Sequence, residues 1–358
     1  MKNFTICILP GDGIGPEIMG QALKILKTVE KIYELKINLF SGVIGGIAID
    51  LYNTPLPEAT LKLCLNCNAI LLGSVGGPKW DKLSPAKRPE RGGLLKLRKE
   101  LGLYANLRPV MLLNSLENIS PLSFKENSGK IDLITVRELS SGIYFGEPKK
   151  ISNNIGIDTM IYREDEIKKI AEIAFKIALK RRKKVCSVDK ANVLNSSVLW
   201  RKTVSDVSKK YPTVKTEHLY IDNAAMQLIL NPSRFDVILA SNLFGDIISD
   251  ESAALTNSLG MLPSASLGDK INLFEPAGGS APDIAGKNIA NPIAQILSVA
   301  MMFEYSYGRK DISDHIYTSV KHLIEKNIRT IDIRSDIKNP VSTETFGDLI
   351  CEEMFKNS

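Results

Sequence analysis

The chain has 358 residues, 44% of them hydrophobic and 24% charged, with a net charge of +6. That length allows two domains with a large core, and the composition is that of an ordinary globular protein. The modest positive charge suits anionic substrates and calls for no nucleic acid, no apolar run of about 18 residues is present to span a membrane, and five cysteines in so long a chain form no disulfide framework.

Strand-like and helix-like segments alternate from the start, which predicts an α/β architecture. Phe4–Leu9 reads as a first strand, too short in its apolar run for a signal peptide, so the expected compartment is the cytosol. Glu17–Glu34 reads as a helix with Ile18, Ala22, Ile25, Leu26 and Val29 on one stripe. Between them, Gly11-Asp-Gly-Ile-Gly-Pro-Glu17 resembles a dinucleotide fingerprint but carries Pro16 where the last glycine belongs; a tight turn with Pro at the helix start explains it equally well. Cys64-Leu-Asn-Cys67 has redox or zinc spacing without a second pair, and reads as small core residues. Ala69–Leu72 is a short apolar strand, and Leu94–Leu101 looks helical.

Ile131–Val136 alternates as a strand does. Asp165–Lys183 reads as a helix with Ile167, Ile170, Ala171, Ala174, Ile177 and Ala178 on its apolar face. Its basic end, Lys180-Arg-Arg-Lys-Lys184, suits a helix C-terminus, where the macrodipole favours cations. Val185–Val188 is a strand with Lys190 at its end, Phe235–Ala240 another, and Pro292–Tyr305 a late helix.

The chemistry gathers around Ser241-Asn-Leu-Phe-Gly-Asp-Ile-Ile-Ser-Asp250. Residues four apart on a helix share a face, so Asp246 and Asp250 are expected to point together. Two carboxylates that close repel unless a cation joins them, and hard dications such as Mg²⁺ often take only one or two protein carboxylates. Asp222, in Tyr220-Ile-Asp-Asn-Ala224, is a candidate third ligand. Arg98, Arg108 and Arg137 supply guanidinium forks that bind carboxylates bidentately; several converging would suit a dicarboxylate. Tyr144 and Lys190 are candidate proton carriers. Lysine ordinarily titrates near ~10.4 and tyrosine near ~10, so a lysine working near neutrality needs burial or metal charge beside it.

Six motifs then occur in order over nearly the whole chain. They are Gly11-Asp-Gly-Ile-Gly-Pro-Glu17, Leu107-Arg-Pro109, Val136-Arg-Glu-Leu139 with Ile143-Tyr-Phe-Gly146, Asp189-Lys-Ala-Asn192, Asn242-Leu-Phe-Gly-Asp246 with Ser249-Asp250, and Gly279-Ser-Ala-Pro-Asp-Ile-Ala-Gly286. Together they resemble the β-decarboxylating dehydrogenases of isocitrate and 3-isopropylmalate. The resemblance implies two open α/β domains of that family's type, not a standard Rossmann fold, with residues 1–104 and 257–358 in the first domain and 105–256 in the second.

The stretch Gly92-Gly-Leu-Leu-Lys-Leu97 favours the 3-isopropylmalate branch, in leucine biosynthesis. Bacterial isocitrate enzymes carry a Ser and an Asn there; Leu94 and Leu95, with Val193, suit an isopropyl group and leave a third carboxylate unpaired, which is costly when buried. A tartrate, malate or homoisocitrate enzyme is the nearest alternative. The resemblance further implies that Arg98, Arg108 and Arg137 clamp the substrate, that Asp222, Asp246 and Asp250 hold Mg²⁺ or Mn²⁺, that Lys190 is the base, and that Tyr144 is the acid. Glu275, Gly279, Ser280, Ala281, Pro282, Asp283, Ile284 and Asn291 are expected to bind the cofactor. Asp283 would accept from the ribose hydroxyls and repel a 2′-phosphate, which selects NAD⁺. Lys190, Val193 and Asp222 would act on a second copy of the chain, making a homodimer with shared active sites, joined partly by an arm near Phe145–Tyr162. The implied partners are thus a small-molecule substrate and a second copy, with no nucleic acid and no membrane. Two departures stand out: Gly278 replaces a His of some relatives, and Glu90 is displaced from the position of the family's nicotinamide-side glutamate.

Overall fold

The computed structural model describes residues 4–120, 130–255, 258–333 and 339–358. Its strands in chain order are β1 (Phe4–Gly11), β2 (Ile37–Ser41), β3 (Ala69–Ser74), β4 (Ala105–Met111), β5 (Asp132–Glu138), β6 (Lys150–Ser152), β7 (Ile155–Ile157), β8 (Lys184–Asp189), β9 (Lys215–Tyr220), β10 (Val237–Ala240), β11 (Pro263–Leu267) and β12 (Asn272–Pro276). The α-helices are α1 (Gly15–Tyr33), α2 (Gly46–Tyr52), α3 (Glu58–Leu65), α4 (Lys96–Glu100), α5 (Glu164–Leu179), α6 (Asn195–Ser208), α7 (Ile221–Leu230), α8 (Asn242–Ala254), α9 (Ile293–Tyr305), α10 (Lys310–Glu325) and α11 (Thr343–Lys356). The chain divides into a first unit, Met1–Leu103 with Asn257–Ser358, and a second unit, Tyr104–Thr256.

In the first unit the strands run β2-β1-β3-β12-β11, parallel except where β11 meets β12. The stripe Ile18, Ala22, Ile25, Leu26 and Val29 of α1 is buried. Helix α9 is buried from Ile293 to Phe303, as its nearly unbroken apolar sequence demands. Cys7, Cys64 and Cys67 sit in a core cluster with Leu9, Ile70 and Leu72, and all five cysteines are free thiols. Cys7 and Cys64 sulfurs approach to 3.7 Å; that contact first, and burial second, push the Cys7 thiol far above its ordinary pKa. The pair is a piece of core.

The expected helix over Leu94–Leu101 divides in two. Pro89–Leu95 winds as a π-helix and only Lys96–Glu100 is α-helical. Pro89 opens the segment and Gly92-Gly93 lets it widen into i→i+5 bonding.

In the second unit the order is β4-β5-β10-β8-β9, antiparallel between β4 and β5 and parallel elsewhere. An antiparallel pair in each unit departs from the all-parallel dinucleotide fold. Helix α5 ends at Leu179, four residues before the sequence pattern suggested. The chain turns there, with Lys183 in the left-handed region (φ 58) and its N–H on the Ala178 carbonyl. Phe175 is buried on the stripe, whereas Ile177 is only half-buried. The basic run therefore lies beyond the last helical turn. Arg181 donates to Asp236 at 2.8 Å and Asp132 at 2.6 Å, and Arg182 donates to the Phe235 and Asp132 carbonyls. These cations tie the starts of β5 and β10 together, a more specific role than completing a macrodipole.

β6 and β7 form a separate antiparallel hairpin whose residues are all exposed. Asn153 (φ 49) and Asn154 (φ 61) make its two-residue turn, the positive-φ pair that matches strand twist. No helix among the described residues is long and apolar enough to cross a membrane.

Candidate active site

Helix α8 begins two residues after β10, so its first turns stand at the carboxyl end of the parallel strands, where open α/β sheets bind ligands. Asn242, Asp246 and Asp250 lie four apart along it and share one face. From the neighbouring β5, Arg137 donates to Asp246 Oδ1 through Nη1, and to Asn242 Oδ1 through Nη2 at 2.9 Å. Its Nε reaches the Asn242 carbonyl at 3.0 Å. From β4, Arg108 donates to Asp250 Oδ1 at 2.9 Å and Ser249 Oγ at 2.8 Å, and stands 3.5 Å from Asp246. Gly245 makes the approach possible: a Cβ there would lie 2.7 Å from Arg137 Cγ.

Tyr144 enters on a short 3-10 turn, Gly142–Tyr144, beside α8. Gly142 has φ 77, and a Cβ on it would meet the Tyr162 hydroxyl at 2.2 Å. Tyr162 accepts the Asn242 backbone N–H at 2.9 Å, so the same residue fixes the start of α8 and the turn carrying Tyr144. The Tyr144 hydroxyl donates to Asp246 Oδ2 at 2.8 Å. Burial, and then this bond, raise its pKa and keep the phenol protonated.

Lys190 and Asp222 stand elsewhere in the second unit. Lys190 follows β8, Asp222 lies in the first turn of α7, and the two form an ion pair. The Lys190 hydrogen bond is the main cause that lowers the Asp222 pKa. Val193, on the next turn, is 68% exposed. Within one chain, no third His, Cys, Asp or Glu joins Asp246 and Asp250 in a metal-binding group among the described residues.

The remaining expected residues belong to the first unit. Arg98, on α4, is buried and pairs with Glu275 of β12, while its Nε has no partner. Leu94 and Leu95 are half-buried, four and three residues before it. The loop Gly279–Gly286 leans on the Gly11–Glu17 turn: Ile14 N–H donates to the Ser280 carbonyl at 2.9 Å and Gly286 N–H to Glu17 at 3.1 Å. A Cβ on Gly13 would sit 2.0 Å from that carbonyl, so this turn serves as a seat for the loop. Ala281 holds φ 37; Pro282 and Asp283 are exposed and Ile284 half-exposed. Asn291 is buried, donating to Asp332 at 3.0 Å and accepting from Ile293 at 2.9 Å, so its amide is taken up in opening α9. Glu90 is exposed, and a Cβ on Gly76 would lie 1.9 Å from its Oε1.

The profile of the isocitrate/isopropylmalate dehydrogenases matches residues 5–350. The chain belongs to the isocitrate/isopropylmalate dehydrogenase family. A 3-isopropylmalate dehydrogenase of Thermotoga maritima is 60% identical over 351 residues, 98% of this chain and 99% of that protein. One from Salmonella typhimurium is 53% identical over 354 residues, 98% and 97% of the two. Among solved structures, isocitrate dehydrogenase from Methylococcus capsulatus superposes with TM-score 0.86 at 32% identity, covering 98% of this chain and 99% of that one. A beta-decarboxylating dehydrogenase from Thermococcus kodakarensis gives 0.81 at 33% identity, covering 99% and 96%. The α/β fold is therefore the family's own.

Sequence reasoning gave no role to two polar groups, Asn242 in the second unit and Asp12 in the first. Asn242 holds Arg137 through its backbone carbonyl and its side-chain oxygen, and its spacing from Asp246 was the available signal. Asp12 is a buried carboxylate that accepts the N–H groups of Gly46, Ile47 and Gly76 at 2.7, 2.8 and 2.8 Å. Burial is the main cause that raises its pKa. Nothing in the sequence marked it beyond its place between two glycines.

Proposed function

We propose that this chain oxidises and decarboxylates 3-isopropylmalate to 4-methyl-2-oxopentanoate, with NAD⁺ and Mg²⁺ or Mn²⁺, as a cytosolic homodimer in leucine biosynthesis. One observation carries the reading: two carboxylates, two guanidinium groups and a phenol meet at the strand ends of a chain 60% identical to a 3-isopropylmalate dehydrogenase.

The donor set fits a hard dication. Asp246 and Asp250 offer oxygen from one helix face, their side chains 30% and 62% exposed, and Arg108 and Arg137 hold both in place. Asp222 is the proposed third oxygen, given by a second copy of the chain. The exposed β6–β7 hairpin and the exposed apolar side chains Val198, Met226, Ile229, Leu230 and Ile247 support such a dimer. When bound, the dication polarises the C2 oxygen and the dinucleotide accepts the hydride.

The chain's own residues do the rest. Arg98, Arg108 and Arg137 orient the two carboxylates of the substrate. Lys190 takes the C2 hydroxyl proton, and Tyr144 donates the proton that completes the product after CO₂ leaves. Leu94, Leu95 and Val193 cover the isopropyl group. Glu275, with Gly279–Ile284 and Asn291, serves the dinucleotide, and the exposed Asp283 carboxylate faces its ribose.

NADH formation is the test. Activity is expected from 3-isopropylmalate, with kcat/KM far above that for isocitrate, malate or tartrate, and none in EDTA. A higher kcat/KM for any of those three rejects the substrate assignment. Tyr144→Phe is expected to slow formation of 4-methyl-2-oxopentanoate, the protonation that follows CO₂ loss, by roughly 10²–10⁴-fold, the usual worth of a general acid, with hydride transfer less affected. Wild-type rates for both steps would remove Tyr144 from that role.

A further inference from the structure

The proposed site borrows Lys190, Val193 and Asp222 from a second copy of the chain, and what aims these three side chains is visible in the second unit. Asp189, immediately before Lys190, is 1% exposed. Its Oδ1 accepts the Ala191 N–H at 2.9 Å and Arg201 Nη2 at 2.8 Å, and its Oδ2 accepts Arg201 Nε at 2.8 Å. The Ala191 bond bends the chain as it leaves β8. The Lys190 carbonyl then accepts Val193 and Leu194 N–H at 3.0 and 2.9 Å, so this turn sets the directions of Lys190 and Val193.

Arg201 reaches outward from α6 and ties this corner to its neighbour. Its guanidinium lies 4.9 Å from the ring centroid of Tyr220, the residue that opens α7. Tyr220 stands opposite Asp189 in the β8–β9 register, and Asp222 follows two residues later. A single guanidinium thus joins the strand end carrying Lys190 to the helix start carrying Asp222.

We infer that Arg201 is a positioning residue: through Asp189 and Tyr220 it fixes Lys190, Val193 and Asp222 as one rigid group presented to the active site of the other subunit. The inference rests on the function proposed above. A lysine in place of Arg201 keeps a positive charge beside the buried carboxylate but loses the two-pronged contact and the planar stacking.

Displacing catalytic groups by about 1 Å costs on the order of 10²-fold in rate, so Arg201→Met is expected to lower kcat about 100-fold with the KM for NAD⁺ unchanged. Loss of a group that orients a ligating carboxylate weakens metal binding about 10–100-fold, and Mn²⁺ titration of the Arg201→Met dimer should read this. Arg201→Lys should fall between it and the wild type in both readouts, and replaces it in every arm if Arg201→Met does not fold.

The deciding arm mixes subunits. An Arg201→Met chain and an Asp246→Asn chain, each strongly impaired as a homodimer, form mixed dimers in which one site has its own Asp246 and an intact Lys190–Asp222 group. Random pairing at equal amounts then restores about one quarter of the wild-type rate. No recovery on mixing, or wild-type kcat and Mn²⁺ affinity in the Arg201 variant, overturns the inference. The underlying reading fails separately: in that case Lys190→Met would itself remain active.

Discussion

Lys190→Met will abolish NADH formation from 3-isopropylmalate, a loss of at least roughly 10²–10⁴-fold, the range a positioned general base supplies. Lys190 is held by Asp222, with its side chain 28% exposed. Single-turnover measurement of NADH at saturating substrate isolates the step; undiminished NADH in the Met variant would take the base role from Lys190.

Asp246→Asn is expected to be nearly as damaging, for three reasons that act on one atom group. It removes an oxygen donor whose metal supplies several kcal/mol of charge stabilisation, about 10³-fold or more in rate. It leaves a single acceptor oxygen where the Tyr144 hydroxyl and Arg137 now use one each, and it removes the negative charge facing Arg137, whose side chain is 3% exposed. Removing the charge from one side of this part-buried pair leaves the guanidinium less well compensated, so thermal stability should fall together with activity. Asp250→Asn, at a side chain 62% exposed, should lose activity with a much smaller change in melting temperature. Equal destabilisation by the two variants would contradict this ordering of the pairs.

Asp246 and Asp250 were legible because helical spacing alone puts residues four apart on one face. The burial of Ile18, Ala22, Ile25, Leu26 and Val29 was legible for the same reason. Arg98 shows where such reasoning ends. Its fork for carboxylates is a property of the residue, but its Glu275 partner arrives from a strand 177 positions away in the chain. The length of α5 was overread because the lysines and arginines after Leu179 are good helix formers, and only Asp132 and Asp236 gave Arg181 a better place. Arg201 and Asp12 carry no local signature, since a buried counter-ion or a set of backbone donors exists only once distant strands are side by side. The family came from the order of six motifs, and the substrate and cofactor came from Leu94, Leu95, Val193 and Asp283 read within that family, which local physics by itself does not rank.

Mn²⁺ binding in the presence of 3-isopropylmalate tests the shared metal site most directly. Wild-type dimers should bind one ion per chain, Asp222→Asn and Asp246→Asn homodimers should both bind it far more weakly, and mixed dimers of the two variants should regain one site. Unchanged Mn²⁺ affinity in the Asp222→Asn homodimer would contradict an active site built from two chains.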